Sequence, residues 1–291
     1  MPRISIGMPV FNGEKYIAEA IDSILAQTFA DFELIISDNG SKDGTLDICK
    51  RYAARDARIR LEQQKENRGA AWNYNRVFAL SEGDYFKWCA HDDAIAPSYL
   101  QRCLDVLDQY TEVVLCYPQT QLMNEHGGVI NVYPDGLHLN NANPVERLAR
   151  YLFRQAKKCN PLLGLIRRKA LARTSLIGSY NASDQVLLAH LALLGEFHEI
   201  PEPLMFRRDH PGASLRANRT AGAVAAWFNP KQKGRFLVPT LRHGWEYLRC
   251  IRQADLPLTQ QIQCARLVSK RLWWDRHQVV TEFKTTLGGV R

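Results

Sequence analysis

A chain of 291 residues, 46% apolar and 23% charged, has the size and composition of one large soluble globular domain, or of one domain with an appendage. It holds no run near the ~18 consecutive apolar residues of a membrane span, and its seven singly spaced cysteines fit reduced thiols better than a disulfide framework. The net charge of +8 sits in one place: residues 231–291 carry 12 Lys or Arg against 4 Asp or Glu, leaving the first 230 neutral. Such asymmetry points to an anionic partner, membrane lipid or nucleic acid, or to a solvated basic tail with no partner.

Ile4 to Val10 reads as a first strand,. It starts so near Met1 that a secretory leader has no room, so a cytoplasmic location is expected. Tyr16, Ile17, Ala20, Ile21, Ile24 and Leu25 recur at helical spacing up to about Gln27,. Phe32 to Ser37 is a second strand, Asp38 to Gly44 a loop of turn formers, and Thr45 to Ala54 a second helix,. Ile59 to Glu62, a helix from Ala70 to Ser81, the strand Tyr85 to Cys89 and a helix from Pro97 to Tyr110 follow. Strict alternation with short links predicts a parallel sheet covered on both faces.

Val113 to Tyr117 continues as a strand, and Gln119 to Tyr133 as a hairpin turning at His126-Gly127-Gly128. Pro144 to Gln155 is predicted helical, Leu162 to Ile166 a strand, and Lys169 to Thr174 a helical turn. Ser183 to Leu194 reads as a helix with Ser183 as its N-cap,. Phe197 to Arg207 is a last strand, interrupted by Pro201 and Pro203, and beyond Leu215 the pattern is helical and basic.

Four loops follow strand ends on one predicted sheet edge: Pro9 to Gly13, Asp38 to Gly44, Asn67 to Gly69 and Ala90 to Asp93. Ligands bind at that edge of an open α/β sheet. Phe11 offers a ring for a base to stack on. The Asp38 carboxylate can accept the ring N–H of uracil, thymine or guanine, which cytosine lacks. Arg68 offers a cation near phosphate. Adjacent Asp92 and Asp93 suit a hard divalent cation, with Asp92 alternatively on ribose. Taken singly, Phe11 also reads as a core aromatic, Asp38 and the Asp pair as turn or capping residues, and Arg68 as a surface charge. No G-x-G-x-x-G follows the first strand and no P-loop is present, which excludes the usual NAD and NTP-hydrolysis sites.

The first 100 residues resemble a family 2 glycosyltransferase of the GT-A fold. Pro9-Val10-Phe11-Asn12, the run from Ile21 to Phe29, Phe32 to Asp38, Ser41 to Thr45, Asn67-Arg68-Gly69 and His91-Asp92-Asp93 carry the likeness. One departure is visible: His91 stands first in the place of the family's D-x-D motif. The resemblance implies an α/β fold, a Rossmann-like, mainly parallel sheet flanked by helices, with a C-terminal helical extension. It implies a nucleotide-sugar-binding half (1–100), an acceptor half (101–215) and a basic extension (216–291).

The resemblance further implies Mn²⁺ or Mg²⁺ held by Asp93 and Asp92, with His210 as a further ligand. Pro9, Phe11, Asn12, Asp38, Asn67, Arg68, Asp92, Arg207 and Arg208 would contact the nucleotide sugar. Asp184 would be the catalytic base of an inverting transfer; read without the resemblance it is a carboxylate facing a helix N-terminus. The implied donor is a UDP- or dTDP-sugar and the implied acceptor a saccharide or lipid-linked saccharide, as in bacterial surface polysaccharide synthesis. No nucleic acid partner is implied. Trp245, Tyr247, Trp273 and Trp274 among basic residues suit peripheral contact with an anionic membrane, or packing against the catalytic domain,. A nucleotidyltransferase is the alternative, disfavoured by the lack of a Gly-rich phosphate loop after the first strand; a non-catalytic nucleotide-sugar-binding module is another.

Overall fold

A computed structural model describes residues 1–133, 135–154, 160–217, 220–230 and 238–288. In chain order its elements are β1 (Ile4–Val10), α1 (Ile17–Leu25), β2 (Phe32–Asp38), α2 (Thr45–Ala53), β3 (Ile59–Gln63), α3 (Ala70–Ala79), β4 (Tyr85–Trp88), β5 (Ala94–Ile95) and α4 (Tyr99–Gln109). Then come β6 (Val113–Met123), β7 (Val129–Tyr133), α5 (Pro144–Arg154), a 3-10 turn (Asn160–Leu163), β8 (Leu165–Arg167), α6 (Arg168–Ala172), α7 (Ser183–Leu194) and β9 (Glu196–Arg208). The chain closes with α8 (Ser214–Ala217), α9 (Ala221–Phe228), α10 (Pro239–Gln253), α11 (Leu258–Trp274) and α12 (Arg276–Gly288). Gln155, the expected end of the fifth helix, lies outside the described residues.

One sheet runs in the order β3-β2-β1-β4-β8-β6-β9-β5, with β7 paired to β6. β3, β2, β1 and β4 are parallel. β8 is antiparallel to both β4 and β6, β9 is parallel to β6, and β5 is antiparallel to β9. The order reverses between β1 and β4, so the loops after these two strands flank a crevice at their C-terminal ends.

Side-chain alternation splits the core into two layers. Ile4, Ile6, Met8 and Val10 of β1 pack with Ile17, Ile21 and Ile24 of α1 and Leu100, Leu104 and Leu107 of α4. On the other face Phe86 and Trp88 of β4 pack with Val77 and Phe78 of α3 and with α5 and α7. Gly7 leaves room for α3, since a Cβ there would stand 2.6 Å from Val77 Cγ2. Both faces are covered, which is why these strands are near-continuously apolar.

Three local expectations are corrected. Helix α4 starts at Tyr99 and not at Pro97, because the residues before it form β5, a two-residue strand too short to leave a pattern. Residues Asn160–Leu163 make a 3-10 turn and only Leu165–Arg167 a strand. Ser183 is not the cap of α7: Ala182 is, at φ 57°, and Ser183 Oγ is buried without a partner. Of the two places open to Tyr247, a membrane surface or packing on the catalytic domain, it takes the second, buried with Cys250, Ile251, Cys264 and Val268 in the second core layer. The C-terminal helices therefore close this layer, α10 against α7 and α11 against α5. No helix among the described residues is long and apolar enough to cross a membrane.

His190, in the middle of α7, is 1% exposed, and neither ring nitrogen has a hydrogen-bond partner. Burial, then the charge of Arg173, push its pKa down to about 4. The folded state therefore holds it neutral while the unfolded chain protonates near pH 6.5. A depressed cation pKa means stability is present above the unfolded value and lost as pH falls toward the folded one. Urea unfolding should show about 2 kcal/mol less stability at pH 5 than at pH 7.5 from this residue. His190→Leu, similar in size and free of the two unsatisfied nitrogens, should remove that increment; an unchanged pH slope would show that His190 is not its source.

Candidate active site

The loop after β1 is tied to the loop after β2. Asn12, at φ 53°, adopts a left-handed conformation that Asn tolerates better than most residues. Its N–H donates to Ser41 Oγ at 2.8 Å and its Oδ1 accepts from Lys42 N–H at 2.8 Å. Gly13 N–H donates to Thr45 Oγ1 at 2.8 Å, and Gly44 N–H to Glu14 Oε2 at 2.6 Å. Asn73 of α3 donates to the last carbonyls of both strands' apolar runs, Val10 O at 3.3 Å and Ser37 O at 2.9 Å. Asn39 joins the loop after β3: its Oδ1 accepts from Arg68 N–H at 3.0 Å and its amide donates to Asn67 Oδ1 at 3.0 Å.

Each expected nucleotide contact can now be placed. Pro9 is buried in β1, and the Asn12 side-chain oxygen Oδ1 is held by the Lys42 N–H of the neighbouring loop. Phe11 is 39% exposed. Asp38 is 1% exposed and accepts the Ser41 N–H at 3.2 Å; its charge, after burial, raises the Cys49 thiol to about 12. Asn67 Oδ1 also closes a turn on Gly69 N–H at 2.8 Å. Arg68 is exposed and lies over the Trp72 ring at 4.0 Å, a cation–π pair,.

The chain returns over this loop. Gly69 has φ 91°, and a Cβ there would stand 2.9 Å from Pro230 Cδ and 3.0 Å from Asn229 Cα, with Phe228 O closer still. Gly69→Ala thus meets both left-handed backbone strain and a clash with the segment after α9. A loss of about 2 kcal/mol in urea unfolding is expected; a variant as stable as wild type would mean that 228–230 does not rest on this loop.

β5 brings the second half to Asp92 and Asp93, because Ala94 pairs with Phe206 and Ile95 with Met205. Asp93, 5% exposed, accepts the Arg208 N–H at 2.9 Å. Burial first, then the charge of Asp92, push its carboxyl up to about 7, against the Arg208 N–H, Arg207 and Lys87. Asp92 Oδ2 lies 2.9 Å from His210 Nε2. His210 packs edge-on to Tyr16 with ring centroids 4.8 Å apart. His91 packs against Gly13, where a Cβ would collide with its ring.

Arg207 and Arg208 divide their work. Arg207 donates to Asn160 Oδ1 at 2.8 Å, and its charge reaches Asp93. The Arg208 side chain is 2% exposed and its guanidinium serves the protein itself. It donates to Asp92 O at 3.0 Å, Asn124 O at 3.4 Å and Glu125 O at 3.3 Å, pairs with Glu19 at 2.6 Å, and covers the Tyr16 ring. Its position is that of a brace between the Asp92 loop and the loop after β6.

Asp184 lies in the first turn of α7, half-buried, with Oδ1 accepting Gln185 N–H at 2.9 Å. The residue that relates it to the Asp pair is Tyr74 on α3. Burial and then Asp92, Asp93 and Asp184 push the Tyr74 hydroxyl well above its ordinary value, so the three carboxylates act on one phenol. Sequence reasoning missed Tyr74, since its helical spacing marks it only as a half-buried residue. It also missed Lys87, fully buried in β4, whose ammonium donates to Leu163 O and to Trp88 O. A lysine inside an apolar strand was the available signal.

Among the described residues no group of three or more His, Cys, Asp or Glu is arranged to hold an ion by itself. Carboxylate oxygen and imidazole nitrogen are the donor types that Mn²⁺ or Mg²⁺ accepts beside phosphate oxygens, and here Asp92 is paired with His210 and Asp93 with the Arg208 N–H,.

The Glycosyl transferase family 2 model matches residues 5–174. The chain belongs to glycosyl transferase family 2. Among relatives of this family 2 glycosyltransferase, the putative glycosyltransferase EpsE of Bacillus subtilis is 38% identical over 110 residues, covering 38% of this chain and 40% of EpsE. Chondroitin synthase of Escherichia coli is 32% identical over 131 residues, covering 45% of this chain and 19% of that protein. The matched region thus spans less than half of these relatives. In structure, the S. aureus TarS fragment 1–349 in complex with UDP-GlcNAc aligns with a TM-score of 0.69 at 16% identity, covering 99% of this chain and 82% of that one. A Pyrobaculum calidifontis mannosyltransferase, PcManGT, with GDP-Man and Mn²⁺ aligns at 0.55 and 16% identity, covering 98% and 87%. These likenesses establish the GT-A fold expected from the sequence, with its helices extending past the sheet at the C-terminus.

Proposed function

We propose that this glycosyltransferase moves a sugar from a nucleoside diphosphate sugar, a UDP- or dTDP-sugar by preference, to a hydroxyl of a saccharide acceptor with inversion at the anomeric carbon. The observation that carries the reading is the pairing of β5 with β9, which sets the Asp92–Asp93 pair against Arg208 and His210: Asp92 Oδ2 lies 2.9 Å from His210 Nε2 and Asp93 accepts the Arg208 N–H at 2.9 Å. Asp184 stands in the first turn of α7, and its charge, with those of Asp92 and Asp93, adds to burial in raising the Tyr74 hydroxyl. TarS in complex with UDP-GlcNAc and PcManGT with GDP-Man and Mn²⁺ support a nucleotide-sugar donor. Chondroitin synthase supports a polysaccharide acceptor.

In this reading Asp184 takes the proton of the attacking hydroxyl. Phe11 and Asp38 hold the base, and Arg68 lies beside it. Asp92, Asp93 and His210 would hold Mn²⁺ or Mg²⁺, which would neutralise charge on the departing diphosphate. Arg207, half-buried and felt by Asp93, adds positive charge on the same side,. Arg208 fixes the Asp92 carbonyl and the Asp93 carboxylate from behind.

The test is incubation of the protein with a panel of nucleotide sugars, with and without Mn²⁺, reading release of nucleoside diphosphate. Slow release from at least one donor, stimulated by Mn²⁺, is expected; binding without release from any donor, even with saccharide acceptors present, would favour a non-catalytic module. Asp93→Ala should weaken UDP binding about tenfold with Mn²⁺ present and leave it unchanged in chelator. Titrations that match wild type in both conditions would remove Asp93 from the cation site.

A further inference from the structure

We propose that one face of α10 docks on an anionic lipid bilayer and so holds the Asp184 end of the molecule at the membrane surface. The docking stands on the surface itself; the consequence for a lipid-carried acceptor rests on the reading of Asp184 above.

Leu241, Trp245 and Leu248 are 44%, 66% and 39% exposed. Their spacing puts them, with Arg242, Arg249 and Arg252, within about 120° of the helix circumference. The opposite side, Tyr247, Cys250 and Ile251, is buried in the core. A surface helix with a solvated outer face carries polar residues there. This one carries an apolar row edged by guanidinium groups, the composition of a helix lying in a membrane interface. Trp245, Leu248, Arg249 and Arg252 together line a shallow depression.

Charge selects the occupant. Glu246 lies 3.8 Å from both Arg242 and Arg249, while Arg252 has no carboxylate partner among the described residues. A second copy docked isologously would bring this cationic edge against itself. A bilayer rich in anionic headgroups meets it with opposite charge. Trp273 and Trp274 contribute less, because Arg276 lies over the first at 4.6 Å and Phe153 packs on the second at 4.9 Å.

The face is mechanically close to the site. His243 Nε2 is 2.7 Å from Asn181 O, and Arg242 lies over the Tyr180 ring at 4.3 Å. Both contacts are to the loop that leads into Asp184. A bilayer against the outer face of α10 would therefore have this helix between it and the loop that leads into Asp184, so that an acceptor sugar on a lipid headgroup would approach along the helix edge at Arg242.

The experiment is co-sedimentation of the full chain with phosphatidylglycerol-containing vesicles and with pure phosphatidylcholine vesicles, at low and high salt. Binding to the anionic vesicles alone, weakened by salt, is expected. The double variant Trp245→Ser, Leu248→Ser and the double variant Arg249→Gln, Arg252→Gln should each bind about tenfold more weakly. Nucleoside diphosphate release in solution without vesicles should stay at the wild-type rate in both variants, so loss of docking is read apart from loss of the catalytic reading. Absence of binding to anionic vesicles at low salt overturns the proposal, as does binding that the substitutions leave unchanged. A wild-type dimer that the Trp245→Ser, Leu248→Ser pair turns into monomer overturns it in favour of a second copy.

Discussion

Asp184→Asn is expected to lower kcat for sugar transfer by about 10²–10⁴-fold, the range a positioned general base supplies. Asn matches Asp in shape, and Oδ1 can still accept the Gln185 N–H, so the first turn of α7 should keep its form. The side chain is half-buried and makes no ion pair among the described residues, so folding stability should move by less than about 1 kcal/mol,. Donor affinity should not change either, since the nucleotide contacts proposed here lie on other loops. The distinguishing pattern is a fall in kcat with the donor Kd intact. Transfer within threefold of wild type would leave the base unassigned, and a parallel loss of donor binding would make Asp184 a binding residue instead.

The first hundred residues were readable because local rules and tertiary demand agree there. β1 runs from Ile4 to Val10 as the apolar run predicts, and α2 and α3 begin at the expected residues. A parallel sheet buried on both faces writes itself into the sequence as apolar strands between amphipathic helices. β5 escaped because two residues carry no periodicity, yet its pairing with Phe206 and Met205 is what sets the Asp pair beside Arg207 and Arg208. In β9 the pairing with β6 shifts register around Gln119 and Pro203, so the strand persists through prolines that would otherwise demote it,.

The site was legible in its chemistry and less so in its division of labour. Side-chain type marked Asp92, Asp93, Asp184 and His210, and the fold sets His210 on Asp92. Nothing in residue type separates an arginine facing solvent from one turned inward. Arg207 and Arg208 alternate across β9, and the strand's period of two sends one toward Asn160 and the other behind the Asp pair,. Tyr74 was invisible for the same reason: its importance comes from which carboxylates surround it.

Arg208→Ala carries the largest expected effect on stability. The guanidinium joins two loops, donating to Asp92 O in one and to Asn124 O and Glu125 O in the other, and its removal leaves those carbonyls and Glu19 without it. Leaving three part-buried carbonyls without this donor, together with the packing lost on Tyr16, costs about 3 kcal/mol,. Glu19→Gln should cost at most about 1 kcal/mol, because Glu19 is 55% exposed and water replaces its share of the pair,. The two variants are therefore unequal although they break the same ion pair, and urea unfolding measures the asymmetry. Arg208→Lys keeps the charge but loses the fork that reaches several carbonyls at once, so it should lie nearer to Ala than to wild type. If Arg208→Ala instead unfolds within 1 kcal/mol of wild type while UDP affinity collapses, the side chain contacts the diphosphate, as the sequence alone implied. If stability falls and Arg208→Lys fails to restore it, the arginine acts through the Asp92–Asp93 backbone, which is the role its buried position supports.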